Sequence, residues 1–135
     1  MSKVSDSWMR LIQIVAGVEA ELTKMLQSKF AIGLSEFRAL QVLAKSPKFE
    51  LRMQDLANHL GLNQSSVSRM VERLERNGLT IRDLCPDDRR GVYTVITDKG
   101  REHLKNAEPD YEKALREAIK AKGGEALLEM LLRKH

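Results

Sequence analysis

From Ser7 to about Ser28, apolar residues recur at steps of three and four: Trp8, Leu11, Ile12, Val15, Val18, Leu22, Met25 and Leu26. That spacing predicts a helix with one apolar face. Ser5, Asp6 and Ser7 all suit its N-cap, because a short side-chain oxygen accepts from a free backbone N–H. After a linker through Ile32 and Gly33, Ser35 caps a second helix to Lys45, with Phe37, Leu40, Val42 and Leu43 apolar and Pro47 as its stop. A short third helix is expected over 52–60, with Leu56, Ala57 and Leu60 inward. Gly61 ends it, since glycine tolerates the left-handed backbone that a helix C-terminus often needs. Asn63 caps a fourth helix to about Asn77, and Gly78 terminates it.

The period then changes. Ile81 to Leu84 and Val92 to Ile96 are short β-type runs around the polar turn Cys85 to Gly91, which predicts a β-hairpin. Thr97 caps a long helix from Asp98 to about Ala121, and Pro109 inside it predicts a kink. Gly123 and Gly124 break that helix before a last, strongly apolar one, Ala126 to Arg133. The fold class is therefore mainly α with a small β-hairpin wing. No internal repeat or low-complexity segment interrupts the order.

The segment Gln54 to Asn77 carries the most specific pattern. A helix-turn-helix needs a small residue where its two helices cross, a residue at ease with positive φ in the turn, and apolar anchors inside the second helix. Ala57, Gly61, Val67 and Met70 meet those needs in order, with Val71 and Leu74 alongside. The outer face of the second helix holds Gln64, Ser65, Ser66, Ser68, Arg69 and Arg73. Small serines let a helix N-terminus approach a duplex, Gln64 can read adenine, and Arg69 can meet guanine or phosphate. A Ser/Arg-rich face on its own is more often simply solvated. The hairpin tip that follows, with Asp88, Arg89 and Arg90, adds weight. An arginine there can enter a narrow minor groove, oriented by Asp88.

At this point a resemblance becomes specific. The runs NQSSVSRMVERLERNGL, PDDRR and ITDKGR, within Met53 to Glu102, resemble the MarR family of bacterial regulators. The resemblance implies a winged helix-turn-helix in which one helix pair reads the major groove. Its D-x-R wing motif, here Asp88 and Arg90, reaches the minor groove. It also implies a homodimer formed through the first and last helices. Small anionic or phenolic effectors would bind a cleft between the dimerisation and DNA-binding parts. On that basis the chain reads as a single MarR-like domain, 1–135, with dimerisation helices in 1–33 and 98–135 around a DNA-binding region at 34–97. Three positions depart from the pattern: Met53 where a capping Ser or Thr is usual, Thr80 where an apolar residue is usual, and an early end at His135. The last points to a smaller dimer interface or to a few missing terminal residues.

The last helix supports dimerisation by itself. Leu127, Leu128, Met130, Leu131 and Leu132 place apolar groups nearly all round it, so it must dock, on its own chain or on a partner. Two-fold pairing would set two recognition helices about 34 Å apart and imply a pseudo-palindromic double-stranded DNA operator.

Composition and charge change little. The chain has 135 residues, enough for one domain and not for two separate cores. Its net charge of +4 suits a polyanionic partner without selecting one. From Asn63 to Arg82 the excess is modest, Arg69, Arg73, Arg76 and Arg82 against Glu72 and Glu75. No apolar run approaches the ~20 residues of a membrane span, and Met1 to Arg10 does not read as a signal peptide, so a cytoplasmic protein is expected.

Candidate chemistry is sparse. His59, His103 and His135 are far apart and Cys85 is alone, so neither a metal site nor a cofactor is expected. Thiol-sensing members of the family carry their reactive cysteine near the first helix, whereas Cys85 stands at the wing base with nothing placed to lower its pKa. Cys85 thus reads as a partly buried strand residue. Trp8, Arg10 and His59 could line an effector cleft, although a lone tryptophan on an apolar face is more often core or interface, and no effector residue is assigned. Asp87 and Asp88 are adjacent in a turn and do not form an acid–base pair, so no enzyme is expected.

The reading is a dimeric DNA-binding repressor released by an effector. One alternative is a regulator or activator without an effector. Another is a winged helix that binds protein, against which Ser65, Ser66, Ser68 and Arg69 argue.

Overall fold

The computed structural model describes residues 2–84 and 92–133, with Leu84 described through its backbone alone. The turn Cys85 to Gly91 lies outside the described residues, and with it Asp88, Arg89 and Arg90. In chain order the elements are helix α1 (Lys3–Phe30), α2 (Leu34–Lys45), a 3-10 turn (Pro47–Phe49), strand β1 (Glu50–Arg52), α3 (Met53–Leu60), α4 (Gln64–Arg76), β2 (Thr80–Leu84), β3 (Val92–Ile96), α5 (Asp98–Ala121) and α6 (Glu125–Arg133). They fall into two compact units, Met1–Ala31 with Ala107–His135, and Ile32–Asn106. The expected class, mainly helical with a small β wing, is what is found.

In the first unit, α1 buries Val18, Leu22 and Leu26, while α5 buries Tyr111, Ala118 and Ile119. The two segments run antiparallel. Gly17 meets the aliphatic stem of Lys122, and Lys29 pairs with Asp110 at 3.7 Å. Helix α1 starts earlier than the expected Ser7. Its N-cap is Ser2, whose Oγ accepts the Ser5 N–H at 3.1 Å, so Ser5, Asp6 and Ser7 lie inside the helix. Val4, four residues before Trp8, continues the apolar period and marks the earlier start that the Ser5, Asp6 and Ser7 cap candidates obscured. Pro109 does not interrupt α5. Proline removes the N–H that the Lys105 carbonyl would receive, but both residues are exposed and water can satisfy that oxygen.

In the second unit, α2, α3 and α4 enclose Phe37, Leu40, Leu43, Leu56, Val67, Met70, Val71 and Leu74, all at 1% exposure or less. Helix α2 is capped by Gly33 rather than Ser35. The Gly33 N–H donates to Glu36 Oε2 at 3.3 Å, the reciprocal half of a capping box, and Leu34 is already helical. The sheet has three antiparallel strands in the order β1-β3-β2. β1 went unseen in the sequence because three residues show no alternation. It pairs Glu50, Leu51 and Arg52 with Val95, Thr94 and Tyr93. This strand answers the missing cap before α3. Arg52, at the N-cap position, makes no side-chain cap, but Thr94 Oγ1 contacts the Met53 sulfur at 3.3 Å, so the sheet pins the start of the helix.

The ITDKGR segment acts as a clamp. Thr97 Oγ1 accepts the Gly100 N–H at 3.0 Å and donates to the Gly78 carbonyl at 2.7 Å, while the Thr97 N–H donates to the Leu79 carbonyl at 3.0 Å. One residue thus caps α5 and ties it to the end of α4 and the start of β2. Gly100 is required for the close approach, because a Cβ there would lie 2.2 Å from the Leu79 carbonyl oxygen. Arg101 pairs with Asp98, donates to the Ile96 carbonyl at 3.2 Å, and stacks 4.4 Å from the Phe49 ring centroid. It steadies a turn in which Lys48 and Phe49 both hold positive φ, 58° and 59°.

Two stability changes are expected, both read by urea unfolding. Gly100→Ala should cost at least about 2 kcal/mol, since the facing atom is backbone and cannot swing aside. Thr80 is 1% exposed, and its hydroxyl has no partner among the described residues. Thr80→Val keeps the shape and removes the unsatisfied group, so it should stabilise by about 1 kcal/mol; a loss of stability would mean that the hydroxyl is satisfied.

Candidate nucleic-acid interface

The geometry begins at the corner between α3 and α4. Ala57 is 6% exposed at the crossing. Gly61 holds φ 65°, and the Leu62 N–H closes back on the Ala57 carbonyl at 3.1 Å. Asn63 then caps α4, its Oδ1 accepting the Ser66 N–H at 2.8 Å. These are the small, left-handed and capping roles expected of the three residues.

Burial sorts α4 by face. Val67, Met70, Val71 and Leu74 are buried, Gln64, Ser65, Arg69, Glu72 and Arg73 are exposed, and Ser66 and Ser68 are intermediate. With the Ser66 N–H taken by the cap, the N–H groups of Gln64 and Ser65 have no intrahelical acceptor by position. The first turn of α4 carries no acidic residue, so nothing on that turn offsets the positive end of the helix dipole. The helix end presents three serines, an arginine and backbone donors that the helix itself leaves without an acceptor. Such a surface can donate to phosphates or base edges.

The arginines divide by partner. Arg82 Nε donates to Glu75 Oε1 at 2.6 Å, joining β2 to α4. Arg73 Nε donates to Glu36 Oε1 at 2.7 Å, reaching from α4 to the start of α2. Arg69 has no ion-pair partner among the described residues. Sequence reasoning placed Arg73 on the outer face and missed Glu36, although its position three residues after Gly33 is that of a capping-box glutamate. It also missed the contact between Arg52 and Tyr93, partners across β1 and β3, whose Nε to Oη distance is 3.1 Å.

The structure brings Gln64, Ser65, Ser66, Ser68, Arg69 and Arg73 onto one helix. Asp88, Arg89 and Arg90 lie outside the described residues, as does Cys85. Trp8 and Arg10 belong to the first unit and His59 to the second. Trp8 is 60% exposed and lines a shallow depression with Lys3, Val4, Ser7 and Leu11. Among the described residues no group of three or more His, Cys, Asp or Glu could hold a metal ion, and no helix is long and apolar enough to cross a membrane.

Residues 32–92 match the MarR family. The chain is 36% identical over 76 residues to an uncharacterized HTH-type transcriptional regulator of Bacillus subtilis, YkoM, covering 56% of this chain and 47% of that protein. It is 31% identical over 99 residues to the HTH-type transcriptional regulator TcaR of Staphylococcus aureus, covering 71% and 63%. The match thus spans only 47% and 63% of these two curated relatives. BldR, a transcriptional regulator from Sulfolobus solfataricus, superposes with a TM-score of 0.77 at 28% identity, over 98% of this chain and 96% of that one. A MarR family transcriptional regulator from Streptomyces coelicolor, solved in complex with DNA, superposes with a TM-score of 0.82 at 31% identity, over 96% of this chain and 82% of that one. Identity of 31% with that protein, over 96% of this chain and 82% of that one, makes this chain a member of the MarR family.

Proposed function

We propose that this chain is a sequence-specific transcriptional regulator that lays α4 into the major groove of double-stranded DNA. The observation that carries this reading is the divided α4. Its buried face anchors the helix, and its exposed N-terminal end offers N–H groups without an intrahelical acceptor, serines and Arg69 with no acid in the first turn. The relative from Streptomyces coelicolor, solved with DNA, supports it. In this reading Gln64, Ser65 and Arg69 reach base edges or phosphate, Ser66 and Ser68 allow close approach, and Arg73 meets the backbone. From the sequence, Asp88, Arg89 and Arg90 extend the contact into the minor groove. No step of this function is catalytic.

The proposal extends to assembly. Val4, Trp8, Met9, Ile12 and Val15 of α1 are 42% exposed or more, and Met130, Leu131 and Leu132 of α6 are 51% exposed or more. Large apolar faces on terminal helices favour a second copy as their cover, giving a homodimer on a pseudo-palindromic operator. Residues 1–33 and 98–135 then act in dimerisation, and 34–97 act on DNA. Repression in the cytoplasm, relieved when a small anionic or phenolic effector shifts the population of dimers with DNA-competent spacing, completes the reading.

Selection from a pool of random duplexes tests it. The expected outcome is a near-palindromic motif with half-sites about one helical turn apart. Retention that is salt-sensitive but without sequence enrichment would contradict it. On the selected duplex, Arg69→Ala should lower the slope of log affinity against log salt by about 0.9 if Arg69 meets phosphate. An unchanged slope with altered base preference would make it a base reader. Arg90→Ala should weaken binding about tenfold with the dimer intact, and unchanged anisotropy titrations would remove the wing from the mechanism.

A further inference from the structure

Glu36 is 8% exposed, an unusual place for a carboxylate, and both of its oxygens are used. Oε2 accepts the Gly33 N–H at 3.3 Å and Oε1 accepts Arg73 Nε at 2.7 Å. The Arg73 side chain is 46% exposed, so the pair has a buried acid and a solvent-facing base. Arg73 follows Arg69 by one helical turn, toward the end of α4. A guanidinium has five N–H donors in a rigid plane, and holding one fixes the direction of the other four.

We propose that Glu36 is a positioning residue for DNA binding, holding the Arg73 guanidinium ready for a backbone phosphate. The proposal rests on the DNA-binding reading above. Arginine loses much rotamer freedom when it is immobilised on a ligand. If Glu36 has already fixed it in the free protein, that cost does not fall on binding. The charge of Glu36 works the other way. Near a phosphate, a carboxylate repels, so simple electrostatics predicts that its neutralisation tightens binding. Positioning predicts the reverse sign, which makes the two separable.

The test is fluorescence anisotropy of the full chain on a labelled duplex recovered by selection on the unmodified protein. Glu36→Gln, Arg73→Ala and the double variant are compared. Glutamine keeps an oxygen for the Gly33 N–H, and circular dichroism on heating checks that α2 survives. Glu36→Gln should weaken binding roughly three- to tenfold, and the double variant should bind no more weakly than Arg73→Ala alone. The salt slope should fall by about 0.9 in Arg73→Ala and stay unchanged in Glu36→Gln. Unchanged or tighter binding by Glu36→Gln overturns the proposal. So does a double variant that loses the full Glu36 factor again, because Glu36 then acts without Arg73. Should Glu36→Gln fail to fold, Arg73→Lys serves instead. It keeps the charge but not the planar fork, so its binding should fall by a similar factor, and unmodified binding overturns the proposal. If the unmodified protein binds no duplex at all, the DNA-binding reading itself fails.

Discussion

Burial of one face of α4 is the constraint on which the rest of the structure depends. Val67, Met70, Val71 and Leu74 are 1% exposed or less and face α2 and α3. Each such side chain contributes about 1.5–3 kcal/mol when taken from water. This single stripe fixes the rotation of the helix about its axis. The opposite face is then held outward whatever its composition, which leaves it open to serines, glutamine and arginines. Gly61 and Asn63 set where the helix begins; Gly78, at φ 74°, ends it, and the Thr97 clamp holds that end in place. The strand that follows is therefore launched from a fixed point.

Charge has a smaller part than its total suggests. A net charge of +4 is spread through a chain in which several arginines already have partners. A pair as solvated as Arg82 with Glu75 contributes little to stability, about 0–1 kcal/mol. The effect of these pairs here is geometric. Arg82 holds β2 to α4 through Glu75, and Arg73 holds α4 to α2 through Glu36. The proposed DNA-facing end of α4 is left with Arg69 and with backbone donors, a short-range array suited to close contact more than to long-range attraction.

Much of this was legible in the residues. Long amphipathic helices announce themselves by period, and Gly61, Asn63 and Thr97 took the turn and cap roles that their chemistry suggests. Features made by tertiary contact were not legible. β1 is too short to alternate and exists because β3 pairs with it. The Gly33 cap of α2 is local by contrast, through a glutamate three residues on, and was passed over because Ser35 looked the better cap. The hallmark ITDKGR could be matched as a string, but only the structure shows that its glycine is needed for a backbone 2.2 Å from a would-be Cβ. The Glu36–Arg73 pair joins residues 37 apart in sequence, beyond the reach of local pattern.

The central claim is that α4 occupies the major groove. Guanine N7 lies in that groove, so methylation interference on a selected duplex reads it directly. The account predicts that N7 methylation blocks binding in two patches separated by about 10 base pairs, one for each recognition helix of a dimer. Interference confined to adenine N3 in the minor groove, or none at guanine N7 anywhere in the site, would contradict it.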